Sequence, residues 1–521
     1  MSRGPELPSI NQLAEIADDF GLDMSLEDLT NQREAMRGAI ASLRHVDDMP
    51  EERPQVAYPR TPGYRPHPDE NPYNAWYWRA EVKGADAGPL AGEEVGVKDV
   101  VSLAGVPMMN GARALEGYVP TIDATIVTRL LDAGATIVGK TACADFSFSG
   151  GGHTSGYGPV RNPRKPTHAP GGSSKGSAAA VAAGDVAMAI GGDQGGSIRI
   201  PASWCGVVGH KATYGLIPYT GCLAIEMTLD HIGPMTDTVE NCARMLSVLA
   251  GPDPLDPRQR GVIPENYVQD YAPAIGAGCE GIRIGVLTEG FGQTEETWPE
   301  FGLPGSVPAV DESVHAALRR LEERGAQVSE VSVPAHYHGL RLWFAIAAEG
   351  ATEFMLKAGG VGTGWIGYYD TQFLEHASRA ALARQNDYPH TVKNVLLLGG
   401  YLKRYYHGTY YAKAQNQRRR LTADYDEALR DVDVLVLPTI PHLSAPIPSL
   451  DAEFGEYMSR ALSMINNTPQ FNLTGHPAIS VPCGVSDGLP IGCQIVGRHF
   501  DDLTVLKVAD ALEKSADWQS L

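Results

Sequence analysis

Residues 170–209, PGGSSKGSAAAVAAGDVAMAIGGDQGGSIRIPASWCGVVG, constrain this chain more than any other stretch. Two glycine-rich loops, GGSSKGS and GGDQGGSIR, bracket a run of small residues from Ala178 to Ile190. Paired glycines let a backbone approach a ligand closely or take positive φ without a Cβ penalty. In the second loop Gln194, Gly195 and Gly196 can turn successive N–H groups toward one point, the device that holds a developing oxyanion. Ser197 ends that loop, where it can attack the carbonyl whose oxygen the loop holds. The plainer alternative is a glycine-rich turn leading into a strand. A serine nucleophile also needs a proton acceptor, either a His–Asp pair or a lysine.

The segments GGSSKGSAAAVAAG and GGDQGGSIRIPASWCGVVGHK, with GVKDV upstream, resemble the amidase signature family, serine amide hydrolases with a Ser–cis-Ser–Lys triad. The resemblance spans about residues 80–510. It implies Ser197 as nucleophile, Ser173, 24 positions earlier, as the cis-serine relay, and Lys98 as base. It implies Gln194, Gly195, Gly196 and Gly172 around the substrate oxygen, and a SFSGGG loop (147–152) bordering the site. Ser174, Asp193 and Arg199 are expected to support the loops, since charges there are costly unless paired. No cofactor and no metal are expected. One departure stands out: the family has glycine where GGSSKGS carries Lys175.

An ordinary lysine, with a pKa near 10.4, is a cation and no base. Lys98 must therefore be buried, because burial disfavours the ammonium. Its alternative is a surface ion pair with Asp99. Val97 and Val100 fit a strand end running into the core.

Other classes are disfavoured by composition. A net charge of −20 is a poor match to nucleic acid, whose phosphates require clustered Lys and Arg. Seven cysteines, an odd number without small-domain spacing, suggest reduced thiols and a cytoplasmic location. No apolar leader opens the sequence and no window reaches 18 apolar residues, so no membrane span is expected. His210, His231 and His476 have no ligand-spaced neighbour. Cys143 and Cys205 read as small buried hydrophobes.

Residues 1–75 read as a helical segment and connector. Ser9 caps a helix that Gly21 stops, and Ser25 opens a second with Leu29, Met36, Ile40 and Leu43 on one face. These helices either pad their own subunit or form a homodimer contact. A Pro- and aromatic-rich connector should then run extended over the surface. Residues 76–521 read as an α/β catalytic domain. Strand–helix alternation there predicts a large mixed, mostly parallel sheet flanked by helices. An aromatic-rich helical insertion over about 335–420 is expected over the sheet edge, its aromatics mainly core.

Two rivals remain. Gly172–Gly176 formally fits G-x-S-x-G, with Ser174 as an elbow, but loop-like residues precede it where a strand is required. An amidotransferase-type subunit shares the core, although the acidic balance argues against a tRNA partner. Within the family the chain is most similar to bacterial enantioselective amidases acting after nitrile hydration, which implies short aliphatic or aromatic primary amides. Anilides, carbamates and esters suit the same triad.

Overall fold

The computed structural model describes residues 4–357, 364–449 and 451–521. The chain divides into two compact units, one ending at Gln55 and one spanning Val56–Leu521.

The first unit holds three helices, α1 (Ile10–Asp19), α2 (Leu26–Ala35) and α3 (Arg37–Asp48). Ser9 and Ser25 each close a capping box, with Gln12 and Asp28 at the third helical position. The expected second helix is two: Met36, at φ −73° and ψ −13°, ends α2 and starts α3. Leu13, Ala17 and Leu29 form a small core of their own.

The second unit is built on one sheet. In chain order it contains β1 (Trp76–Lys83), β2 (Glu94–Lys98), α4 (Thr125–Asp132), β3 (Thr136–Thr141), α5 (Lys175–Ala183), β4 (Met188–Asp193), α6 (Arg199–Cys205), β5 (Val208–Lys211), β6 (His231–Thr236) and α7 (Val239–Leu249). Then follow β7 (Arg283–Leu287), α8 (Pro308–Glu323), β8 (Gln327–Val331), α9 (His336–Gly350), α10 (Thr371–Arg384), α11 (His390–Tyr406), α12 (Thr409–Asp431) and β9 (Val434–Pro438). The chain closes with α13 (Phe454–Leu462), α14 (Pro469–Thr474), β10 (Ala478–Ser486), β11 (Leu489–Gly497) and α15 (Asp502–Glu513).

The eleven strands are ordered β1-β3-β2-β4-β6-β5-β10-β11-β9-β7-β8. The sheet is mixed, as expected, but less parallel than the alternation suggested. Only β2–β3, β2–β4, β7–β8 and β7–β9 pair in parallel; the other neighbours are antiparallel. The reason is local. Short connections such as the Asp487–Gly488 turn between β10 and β11 can join only antiparallel neighbours. The parallel neighbours β2–β3 and β7–β8 are each joined through one helix, α4 and α8.

Parallel pairing of β2 with β4 positions the chemistry. Lys98 is the last residue of β2 and Asp193 the last of β4, so both side chains leave the same end of the sheet. Ligands of parallel sheets bind at that carboxyl end. Between the strands α5 runs close to the sheet, because Ala178, Ala179 and Ala180 fill its buried face. Gly184, in the left-handed region at φ +77°, stops it.

The aromatic segment is helical, and residues 358–363 of it lie outside the described residues. Its aromatics divide. Trp343, Phe373 and Tyr388 are buried, whereas Tyr401, Tyr405, Tyr406 and Tyr410 are exposed on α11 and α12. The expectation of a mainly core role fails for those four tyrosines.

Candidate active site

Lys98 is fully buried, and its Nζ lies 2.7 Å from Ser173 Oγ and 3.2 Å from the Gly192 carbonyl. Among the described residues it has no carboxylate within ion-pair distance. The neighbouring Asp99 turns instead to Lys140, 3.6 Å away, and accepts from the N–H groups of Met109 and Gly111. The surface Lys98–Asp99 pair is therefore not what forms. Burial pushes the Lys98 ammonium down to about 8, against the opposing pull of Cys143, Asp193 and Asp230.

The Gly172–Ser173 peptide bond is cis. Ser173 and Ser174 are both fully buried. The Ser174 hydroxyl donates to the Gly192 carbonyl at 2.9 Å and accepts from the Gly192 N–H at 3.0 Å. Ser174 also donates its N–H to the Ser197 carbonyl. Its hydroxyl thus ties the two glycine loops together, and no strand precedes it between Thr141 and α5. An elbow nucleophile would need both a strand there and a free hydroxyl.

Ser197 lies at the floor of a cleft and is 9% exposed. Its loop is held by Asp193, which accepts from the Gly196 N–H (2.7 Å), the Ile198 N–H (3.0 Å), Arg199 (3.0 and 3.1 Å) and Asn472 (2.8 Å). Burial works to raise the pKa of this carboxyl. The Arg199 guanidinium outweighs it, helped by Asn472 and the Ile198 N–H, and holds Asp193 well below the carboxylate range. Arg199 in turn donates to the Thr468 carbonyl, Gln494 and Asn472. Every charge in this dry network has a partner.

One expectation needs correcting. Gly196 does not offer its N–H to a substrate, because Asp193 occupies it. Its value lies in its missing Cβ: at φ +130°, a Cβ would sit 2.3 Å from Thr468 Oγ1. Among the described residues no protein acceptor meets the N–H groups of Gln194, Gly195 and Ser197. The Gln194 carbonyl accepts from the Trp343 indole at 2.7 Å, and the Gly195 carbonyl from Thr468 Oγ1 at 2.6 Å. A peptide is planar and trans, so pinning each carbonyl also fixes the opposite N–H.

Lys175 is not an exposed cation beside Ser173. It is fully buried and donates to the carbonyls of Gly152 and Thr154 and to Ser155. It anchors the loop after SFSGGG, and burial lowers its pKa to about 8. Trp343, Thr468, Asn472 and Gln494 carry no signal in the sequence. Each meets the 193–199 segment at a sequence separation of 149 or more, and no local pattern announces such a contact.

The cleft over Ser197 is lined by Phe148, Ile200, Ile225, Leu229, Trp343, Ala347, Leu462 and Ile465, with Ser147, Ser149, Gly150, Gly172, Gln194 and Gly195. Among the described residues its lining carries no charged side chain. A wider groove of about 750 Å³ lies between α9 and α12 and contains none of these residues. No helix among the described residues is long and apolar enough to cross a membrane.

Comparison with known proteins agrees with this architecture. The family described as Amidase matches residues 67–506. The chain is 43% identical to an enantioselective amidase of Rhodococcus rhodochrous over 96% of this chain and 95% of that one. It is 42% identical to a glutamyl-tRNA(Gln) amidotransferase subunit of Haloarcula marismortui, over 84% of this chain and 99% of that one. The solved peptide amidase of Stenotrophomonas maltophilia superposes with a TM-score of 0.67 at 28% identity, covering 82% of this chain and 83% of that one. The chain is therefore an amidase-type enzyme and belongs to the amidase signature family.

Proposed function

We propose that the protein hydrolyses the C–N bond of uncharged carboxylic amides with an apolar acyl group, through an acyl-Ser197 intermediate. The observation that carries this reading is the 2.7 Å contact between a fully buried, carboxylate-free Lys98 and Ser173. Neutral Lys98 draws the Ser173 proton while Ser173 takes the proton of Ser197. Ser197 Oγ then bonds to the amide carbon, and the charge on the carbonyl oxygen is met by N–H groups of the 194–197 loop. The relay runs back to protonate the leaving nitrogen, the C–N bond breaks, and ammonia or an amine departs. Water then repeats the cycle on the acyl-enzyme and releases the carboxylate.

The similarity to an enantioselective amidase and the apolar cleft support small amides with aliphatic or aromatic acyl groups. The amidotransferase-type reading rests on the second similarity. A cleft without charged side chains offers little to the ammonium and carboxylate of a free amino-acid amide. Anilides, carbamates and esters fit the same relay. Two measurements test the proposal. A fluorophosphonate should label Ser197, identified by peptide mapping; labelling at Ser174 would overturn the acyl-enzyme assignment. A panel of both enantiomers of arylalkyl amides, with anilides, carbamates, esters and glutamine, should give the highest kcat/KM for the neutral primary amides.

A further inference from the structure

Three side chains far apart in sequence converge away from the cleft: Asp426 on α12, His476 between α14 and β10, and His499 just after β11. His476 Nε2 stands 3.0 Å from Asp426 Oδ1, and His499 Nδ1 stands 3.6 Å from the same oxygen. The three potential ligand atoms all lie within 4.8 Å of one another. The two imidazole rings lie with centroids 4.0 Å apart. A tetrahedral zinc ion with bonds of about 2.0–2.1 Å needs donor atoms about 3.4 Å apart. The two carboxylate–imidazole distances bracket that value.

The other two ring nitrogens are both held by Thr474. His476 Nδ1 lies 2.8 Å from its hydroxyl, and His499 Nε2 lies 2.8 Å from its carbonyl. A carbonyl only accepts, so His499 carries its proton on Nε2. That leaves Nδ1 as the ring atom open to a cation, and it faces the same Asp426 oxygen that His476 Nε2 meets at hydrogen-bond distance. A carboxylate oxygen and two imidazole nitrogens thus converge on one point, where a cation can replace the intervening protons. Outer hydrogen bonds of this kind orient metal-binding imidazoles and set their tautomers. His476 has no solvent exposure. Asp426, half exposed, gives the point access to solvent.

We propose that Asp426, His476 and His499 form a binding site for a divalent transition ion of the zinc type, completed by water. Two imidazoles and one carboxylate are a borderline donor set that favours zinc over magnesium or calcium. The ion would staple the last helix of the aromatic segment, α12, to the two turns at the ends of α14 and β11. Catalysis as proposed above uses none of these residues.

The test uses full-length protein stripped with a chelator and dialysed. Titration with zinc chloride in a calorimeter should give one ion per chain and a higher Tm, whereas magnesium should give neither. Asp426→Asn and His499→Ala, both at partly exposed positions, should each weaken binding at least tenfold. Thr474→Val should weaken it by roughly 10–100-fold through the lost outer hydrogen bond. His67→Ala, at an exposed histidine elsewhere, should leave it unchanged. Cobalt should bind without a thiolate charge-transfer band. Absence of zinc binding in the wild type, equal binding by the Asp426 and His499 variants, or a thiolate band would each overturn the site.

Discussion

Lys98 loses its hydration on folding and gains hydrogen bonds to Ser173 and Gly192. Its folded pKa of about 8 lies below the ordinary value of 10.5. Between those values the unfolded chain binds more protons than the folded one, so stability from this group rises with pH across that window. Below pH 8 the full penalty applies, about 3 kcal/mol. Lys98→Met should therefore abolish hydrolysis and stabilise the fold by about 1–3 kcal/mol at pH 7, with the gain shrinking as pH approaches 10. Urea denaturation at both pH values checks this; an unchanged or lower stability at pH 7 would refute it. In the wild type, kcat/KM should climb with pH and level off above about 8. Lys98→Ala should lower it by about 10²–10⁴-fold, and Lys98→Arg should do no better, because guanidinium stays protonated. Lys175→Gly should keep the ionisation while disturbing the 152–155 loop. If that variant loses the ionisation instead, Lys175 is the base.

At the scale of elements, α9 reaches the Ser197 loop through one indole. Trp343→Phe keeps the apolar wall but leaves the Gln194 carbonyl without its buried donor, a loss worth about 1–3 kcal/mol. The expected result is a fall in kcat of about tenfold or more with a small change in KM, measured on the best amide of the panel. A change confined to KM would reduce Trp343 to a pocket wall. The helices α1–α3 raise a different question. Leu26, Leu43 and Val46 on them, with Phe20 just after α1, remain exposed, and we propose that they pair with a second copy of the chain. Deleting the three helices should convert a dimer to a monomer in light scattering, and a monomeric full-length protein would exclude the idea. Much of this is legible in the sequence. Capping serines mark α1 and α2, and the resemblance of GVKDV, GGSSKGS and GGDQGGSIR to the family's motifs points to Lys98, Ser173 and Ser197. Two features have no sequence signal, the Trp343 contact and the Asp426–His476–His499 cluster, because both depend on tertiary approach alone. The expectation for Gly196 fails for a related reason: a glycine pair declares close packing but not which partner takes its N–H.

For the whole molecule, the mixed sheet brings distant segments to one end, and the buried Asp193–Arg199 pair is where they meet. Arg199 is satisfied by Thr468, Asn472 and Gln494, which lie 269, 273 and 295 positions further along the chain. A chain truncated after residue 465 should accordingly be inert toward both amide and fluorophosphonate, and reactivity in that fragment would show that the loop forms without its distant supports. The same arrangement gives the protein a clock. At a synthesis rate of about 5–20 residues per second, roughly 15–60 s pass between the appearance of Arg199 and the arrival of its last partner, Gln494. On the mechanism proposed above, Ser197 then stands in the chain for that interval without the supports that hold its loop, and the protein should gain competence toward amides only after Gln494 has been made.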